Sequence, residues 1–252
     1  MKEPRTIVRA IEQDPRLPHG SAECFFGYGV MGLPFASGHV LAMRRFPASS
    51  VGPGYTSVWH RSPDGEWGMW VDVDPLHACP RYFGSGVERV VRGPIHVSWP
   101  GAQRMIVQIE GGRQLDWEIV LASTLTTRLL SSVGKVTPDA LWRRRLVLSA
   151  MAAVAGSMLR AGRLSLYGIA PNGQWFKANP KQIWTVTGGR ALLHGTDLGG
   201  LGRLPEIAAL GGFVIPQRGI FAVGQGLFEP FAEDRHMAVA SREANAIPGS
   251  SR

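Results

Sequence analysis

Residues 55–73 read YTSVWHRSPDGEWGMWVDV and predict a β-hairpin. Apolar and polar side chains alternate with a period of two on both sides of the Ser62–Gly65 segment, whose Ser-Pro-Asp-Gly sequence is typical of a turn. Because successive side chains of a strand point to opposite faces, Tyr55 and Trp59 should share one face, opposite to His60. This hairpin indicates that the chain builds an antiparallel sheet.

The same alternation continues on both sides of the hairpin. Before it, the run Phe25–Arg45 contains four glycines, which inside a strand indicate bulges or close approach of a neighbouring backbone. After it, the pattern predicts four more short strands, at 87–92, 95–99, 104–110 and 114–122. The fold class that follows is mainly β with some α: an antiparallel meander that forms a barrel or a strongly curved sheet.

The pattern changes at Thr137-Pro138-Asp139, which has the cap, the proline and the early acid of a helix start. One long helix is predicted over 138–161, and its middle, Leu146–Leu159, is apolar or small on every face. Such a helix is typically buried in a core. The alternative is a helix that docks on the surface of an anionic membrane. A second, smaller strand group should follow it.

The predicted organisation has five parts. A polar lead-in with a short helix precedes a β-meander or barrel, a helix, a second strand group packed on the first, and a flexible tail. The boundaries are 1–22, 23–136, 137–162, 163–232 and 233–252.

The charge of the chain is concentrated in one segment. The 252 residues hold 27 Lys+Arg and 19 Asp+Glu, a net charge of +8. Between Ala140 and Thr196 there are eight basic residues and no acidic one, so the rest of the chain is neutral. A segment of one sign attracts anions, unless acids from elsewhere in the fold neutralise it. Nucleic acid is not the expected anion, because no DNA- or RNA-binding motif is present.

Composition excludes several classes. A hydrophobic content of 44% excludes a disordered chain, and two cysteines exclude a disulfide-stapled domain. The seven histidines lack metal-ligand spacing, so no metal is expected. The glycines of GYGVMG, residues 27–32, spell G-x-G-x-x-G inside a strand with no following helix, so no dinucleotide cofactor is expected. Without a bilayer-spanning apolar run or a secretory signal, we expect a cytoplasmic protein, with peripheral membrane association as the alternative.

His60 is the best single candidate for general acid–base catalysis. It lies at the end of a strand, and several acids are near in sequence. Tyr55 and Asp72 are candidates for the same cavity. The alternative for His60 is an exposed hairpin histidine beside Arg61.

The candidate ligand-binding residues fall into two groups. Tryptophans at strand positions either line an apolar pocket or belong to the core: Trp59, Trp70 and Trp117. Cations of the basic segment would contact an anion: Arg143, Arg163 and Lys177. For Lys177, a surface lysine and a desolvated amine with Schiff-base chemistry are both open.

Three features together resemble a known family. They are the Gly-rich first strand, the hairpin VWHRSPDGEW at 58–67 and the late segment GRLSLYGIAPNG at 162–173. In this pattern the chain is similar to the lipocalin-like (calycin) proteins related to carotenoid hydratases. The resemblance implies a β-barrel that binds or transforms an apolar molecule in its interior.

The sequence leaves three hypotheses for function. The first is binding, with or without transformation, of a hydrophobic small molecule with an anionic group inside a barrel-like cavity. The alternative is a non-catalytic module that docks on a membrane or a partner through the basic, apolar segment 140–196. The third is an enzyme with His60 as its base. The oligomeric state is not predicted.

Overall fold

The structure, a computed structural model, describes residues 2–17, 20–142 and 144–237. The helices are α1 Pro4–Gln13, α2 Pro80–Phe83, α3 Leu125–Val136, α4 Asp139–Trp142 and α5 Arg145–Met158. The strands are β1 Glu23–Pro34, β2 Val40–Ser49, β3 Tyr55–Arg61, β4 Trp67–Val71, β5 Arg89–Arg92, β6 Ile95–Ser98, β7 Arg104–Ile109, β8 Leu115–Ala122, β9 Tyr167–Ile169, β10 Trp175–Leu193, β11 Thr196–Asp197, β12 Ala209–Leu210, β13 Phe213–Val214 and β14 Ile220–Phe228. The expected mainly β fold class is confirmed.

One large sheet dominates the fold. Its strand order is β5-β4-β3-β2-β1-β14-β10-β8-β7-β6, and β9 and β11 add to β10. Neighbours run antiparallel except β4 and β5, which are parallel. The predicted hairpin is present as β3 and β4. Strands β10 and β14 lie between β1 and β8, so strands from the two predicted groups join a single sheet.

The sheet curls until its two edges approach each other. Trp70 of β4, near one edge, donates its indole N–H to the side-chain oxygen of Gln114 beside β8, at 2.6 Å. The inside of the curl is filled by side chains from both halves, with Trp117, Trp184 and Phe221 fully buried among them. Within the described residues no pairing joins β5 to β6, so the sheet is a half-barrel whose interior is a packed core.

Glycines let β1 lie unusually close to β2. A Cβ atom added to Gly29 would lie 2.1 Å from the Met43 carbonyl oxygen, and one on Gly27 would lie 2.0 Å from that of Arg45. The register also shifts between Phe26 and Tyr28. The bulges and close approach expected of this glycine-rich strand are therefore observed.

The helical segment differs from the prediction. Arg144 is extended and separates α4 from α5, so the helix predicted over 138–161 is broken. Burial on every face is also wrong: only one stripe of α5 is buried, and Leu146 is 86% exposed. The buried stripe ends at Gly156, where a Cβ atom would lie 2.3 Å from the Gly162 carbonyl oxygen. Small residues allow close contact on that side, while nothing covers the other side among the described residues.

Both ends of the described chain are attached to the sheet. Glu12 of α1 accepts two hydrogen bonds from Arg45 and one from Tyr28. At the other end, buried His236 lies 3.1 Å from a carboxylate oxygen of Glu229. The start of the predicted flexible tail, 233–237, thus contacts the fold, and 238–252 lie outside the described residues.

Candidate functional site

A cavity of about 180 Å³ lies on the face of the sheet that points away from the Trp117 core. Strands β1, β2, β3, β10 and β14 form its floor, and the end of α5 and the segment around Phe213 cover it. The wall is mainly aromatic and aliphatic, with Tyr55, Trp59, Phe176, Leu159, Ile183 and Phe213 among its residues. A molecule held here would contact chiefly apolar surface.

Arg44 and Lys177 are the charged residues in this otherwise apolar wall, and Arg44 is the buried one. Alternation along β2 sends Met43 into the inner core and Arg44 toward the cavity. The Arg44 guanidinium is buried and donates to the backbone carbonyls of Val30 at 2.5 Å, Met43 at 2.9 Å and Met31 at 3.2 Å. The positive charge is therefore held by peptide dipoles at the base of the cavity.

Aromatic rings complete the environment of this guanidinium. Its carbon lies 5.0 Å from the ring centroids of both Trp59 and Phe213, which is cation–π distance. In the ranges that the structure describes, no carboxylate forms an ion pair with Arg44. Among the described residues its positive charge is balanced by carbonyl dipoles and aromatic rings and not by a carboxylate, so an anion would be a further partner for it.

Burial lowers the pKa of Arg44 to about 10, and the nearby Cys79 and Tyr55 act in the opposite direction. The guanidinium therefore stays charged at neutral pH. Burial also raises the pKa of Tyr55, so its phenol stays protonated. The Tyr55 oxygen lies 3.5 Å from the Cys79 sulfur, and both residues line the cavity. The polar groups of the lining thus include the buried Arg44 cation and the protonated Tyr55 phenol.

Comparisons with known proteins add little to this geometry. No protein family model matches the chain, and no curated protein sequence matches it. Among solved structures, the chain is similar to the crystal structure of acetoacetate decarboxylase from Legionella pneumophila. That match has 13% identity and a TM-score of 0.38, and it covers 89% of this chain and 91% of the other. A likeness this distant supports no statement about activity.

Three of the residues proposed from the sequence line the cavity. Tyr55 and Trp59 share the face of β3 that points into it, as the alternation predicted. Lys177 of β10 also lines it, and its Nζ atom lies 4.8 Å from the ring centroid of Trp175. Trp175 is not among the lining residues, so the Lys177 amine lies at the margin of the cavity.

The other proposed residues do not meet there. Trp70 and Trp117 belong to the inner core, because alternation turns them to the opposite face. Asp72 accepts a hydrogen bond from the Thr56 backbone N–H at 2.7 Å, which ties β3 to the end of β4. Arg163 is exposed and lies outside the cavity lining, and Arg143 lies outside the described residues.

His60 is paired with another histidine. Its Nε2 atom lies 2.8 Å from Nδ1 of His39, and the two rings are stacked. Burial, then His39 and His194, lower the pKa of His60 to about 4. The ring is therefore neutral at pH 7, and one of the two histidines donates to the other. His60 does not line the cavity, so the role of the pair that the contacts support is to join β2 and β3.

We expect the His60 pair to make stability depend on pH. Because the pKa of folded His60 lies below the ordinary 6.5, the unfolded chain binds more protons between those values, and acid favours unfolding. The stabilisation is complete above about pH 6.5 and is lost as the pH falls toward 4. Between pH 7.5 and pH 5 the free energy of unfolding should fall by about 1–2 kcal/mol. Urea unfolding at both pH values measures it, and His60→Gln should flatten the dependence.

Sequence reasoning missed Arg44, the residue with the most unusual surroundings. The signal was present in GHVLAMRRF at 38–46, where two successive arginines end an apolar strand. Alternation requires the two to point to opposite faces. Arg45 meets Glu12 on its side, whereas Arg44 enters the apolar layer.

Proposed function

We propose that the protein binds an apolar small molecule through a carboxylate group that pairs with Arg44. The observation that carries the proposal is a buried guanidinium in the wall of an apolar cavity, with no carboxylate partner among the described residues. The ligand therefore belongs to the class expected from the sequence, an apolar molecule with an anionic group. Arg44 takes the anion-binding role that the sequence suggested for Arg143, Arg163 and Lys177, of which Lys177 also lines the cavity.

The location differs from the one implied by the resemblance to calycin barrels. Trp117, Trp184 and Phe221 fill the interior of the curled sheet, which leaves no room for a ligand there. The proposed ligand lies on the opposite face, between the sheet and the helical layer.

A carboxylate suits this site better than a phosphate. One guanidinium carries one charge, which a carboxylate neutralises with two parallel hydrogen bonds. A phosphate dianion would need a second cation beside Arg44, because an excess negative charge in an apolar environment is costly. Lys177 also lines the cavity, but its Nζ atom lies beside Trp175, which is outside the lining. Three N–H groups of Arg44 donate to backbone carbonyls, so the ligand would take the remaining donors or share these.

The cavity volume limits the size of the apolar part. Cavities of about 150 Å³ hold benzene, so about 180 Å³ accommodates one ring or a short branched chain. Trp59, Phe83 and Phe213 form neighbouring edge-to-face or tilted pairs, which gives an aromatic ligand suitable packing partners. We therefore propose an aryl or branched-chain carboxylic acid. The Tyr55 hydroxyl and the Cys79 sulfur are polar groups that a bound ligand would also meet.

Calorimetric titration with phenylacetate and its uncharged amide tests the proposal. The carboxylate should bind and the amide, which has nearly the same shape, should bind at least about tenfold more weakly, because hydrogen bonds to a charged group contribute about 1.5–3 kcal/mol. Quenching of tryptophan fluorescence provides a second readout, since Trp59 lies beside Arg44. Equal binding of acid and amide, or no binding by any short aryl or branched acid, would contradict it.

A further inference from the structure

Helix α3 buries its polar side and exposes its apolar side. The residues that face the sheet are small or polar: Thr127, Ser131 and Gly134 are buried. The outward stripe is apolar, and its members are 44–84% exposed: Leu125, Leu129, Val133 and Val136. These positions lie three or four residues apart and therefore form one continuous row along the helix. A helix covering a core normally has the opposite arrangement.

Contacts with the sheet fix this orientation. The Ser131 hydroxyl accepts a hydrogen bond from the backbone N–H of Ile183 at 3.0 Å. A Cβ atom on Gly134 would lie 2.5 Å from the Pro180 carbonyl oxygen, so only glycine allows the helix to lie this close to β10. Rotating α3 to bury its leucines would break both contacts.

Helix α5 presents a second exposed apolar surface on the same side of the sheet. Leu130 of α3 and Ala155 of α5 pack against the same cluster around Ile183 and Ala222, so both helices lie on the same side of the sheet. The outward side of α5 presents Leu146, Val154 and Met158, with no charged residue from 146 to 159. We call the exposed set the α3–α5 face: Leu125, Leu129, Val133, Val136, Leu146, Val154 and Met158.

Positive charge surrounds this face. From residue 119 to residue 196 the chain has one acid, Asp139. Exposed cations lie along the two helices and at their ends: Arg128, Lys135, Arg144, Arg145 and Arg160. Considering only the residues that the structure describes, none of the five forms an ion pair with a carboxylate. Neutralisation of the basic segment 140–196 by acids from elsewhere in the fold therefore does not hold for Arg144, Arg145 and Arg160, whereas Arg190 of that segment pairs with Asp197.

We propose that the α3–α5 face docks on the surface of an anionic lipid bilayer. The leucines and valines would enter the boundary between headgroups and acyl chains, and the cations would contact anionic headgroups. A second copy of the chain is less suitable, because a twofold interface would bring the same cations close to each other. Among the described helices none is long and apolar enough to span a membrane, which agrees with docking in the interface.

Docking would place the candidate cavity next to the lipid. Ala155 and Leu159 line the cavity from the inner side of the segment whose outer side carries Val154 and Met158. Docking does not depend on the proposed ligand, and binding to vesicles can be measured without that ligand. Either proposal can therefore fail alone.

Co-sedimentation with vesicles tests the docking. We expect the full chain to bind vesicles containing phosphatidylglycerol, and not vesicles of phosphatidylcholine alone. Raising the salt from about 0.1 M to 1 M shortens the screening length from about 10 Å to about 3 Å and should release the protein. Leu129→Ser with Val133→Ser should weaken binding by about tenfold per side chain removed from the apolar contact. Arg128→Gln with Lys135→Gln should weaken it by about 25-fold, or about fivefold per cation.

Matched variants separate the face from general effects. Leu76→Ser with Ile207→Ser removes two exposed apolar side chains elsewhere, and Arg9→Gln with Arg113→Gln removes the same charge from other surfaces. Both double variants should bind anionic vesicles as tightly as the unchanged chain does. The proposal would be overturned if the control variants lost as much vesicle affinity as the face variants. It would also be overturned if the protein bound vesicles of phosphatidylcholine alone, or if it bound no vesicles at low salt. A lipid-free dimer, detected by sedimentation velocity, that dissociates on Leu129→Ser with Val133→Ser would overturn it as well.

Discussion

Arg44→Met removes binding of apolar carboxylates while leaving binding of the corresponding amides little changed. Truncating one partner of a buried, hydrogen-bonded charge pair costs about 2–5 kcal/mol, so we expect a loss of affinity of about 30-fold or more. The apolar replacement keeps the volume of the stem and does not add a charge to the wall. Calorimetric titration of phenylacetate and phenylacetamide against both proteins gives the four affinities needed for a coupling free energy.

Two further variants make this result specific to the guanidinium. Arg44→Lys keeps the charge but loses the planar fork, so it should retain part of the affinity. Arg163→Met removes an exposed arginine outside the cavity and should change nothing. Should Arg163→Met weaken binding as much as Arg44→Met does, the anion would be held by the surface potential of the basic segment instead. Circular dichroism confirms that each variant is folded.

The site depends on features that local sequence patterns describe only in part. Alternation along β3 correctly placed Tyr55 and Trp59 on one face, because a period of two is a local property of a strand. Pattern alone did not reveal which face encloses the cavity, because that depends on β10 and β14 entering the sheet between β1 and β8. Those pairings join residues distant in sequence, such as Phe25 and Gly226.

For the helices, the sequence pattern misses one element and overestimates the burial of another. The sequence pattern predicts no helix at Leu125–Val136, although Thr124 caps this helix through a reciprocal pair of hydrogen bonds with Thr127. Interpretation of Leu146–Leu159 as a core helix rested on the rule that apolar helices are buried. The rule fails here because the buried stripe of α5 is narrow and the rest of the helix has no covering layer among the described residues.

The close strand approach predicted from the glycines of β1 is observed in the structure. Substituting one of these glycines should cause a large loss of folding stability. Gly29→Ala should destabilise the fold by about 3 kcal/mol, because overpacking a fixed core or sheet costs about 1–3 kcal/mol and here the obstacle is backbone. The new Cβ would lie 2.1 Å from the Met43 carbonyl oxygen and 3.1 Å from the Arg44 Cα. Relief requires β1 and β2 to separate, which would also disturb the hydrogen bond from Arg44 to the Val30 carbonyl.

Gly68→Ala in β4 is the matched control, since it makes the same chemical change in the same sheet. There the added Cβ would meet only the Arg89 carbonyl oxygen, at 3.8 Å, an ordinary contact distance. Removing a glycine where no clash results reduces the freedom of the unfolded chain, so stability should rise by about 0.4–1 kcal/mol. Urea unfolding of the two variants gives both free energies. If the two changes in the free energy of unfolding have opposite signs, the glycines of β1 are needed for the close approach of the strands. If both variants lose the same stability, both positions need glycine for another reason, such as backbone flexibility. The strand spacing that places Arg44 at the cavity would then have a different origin.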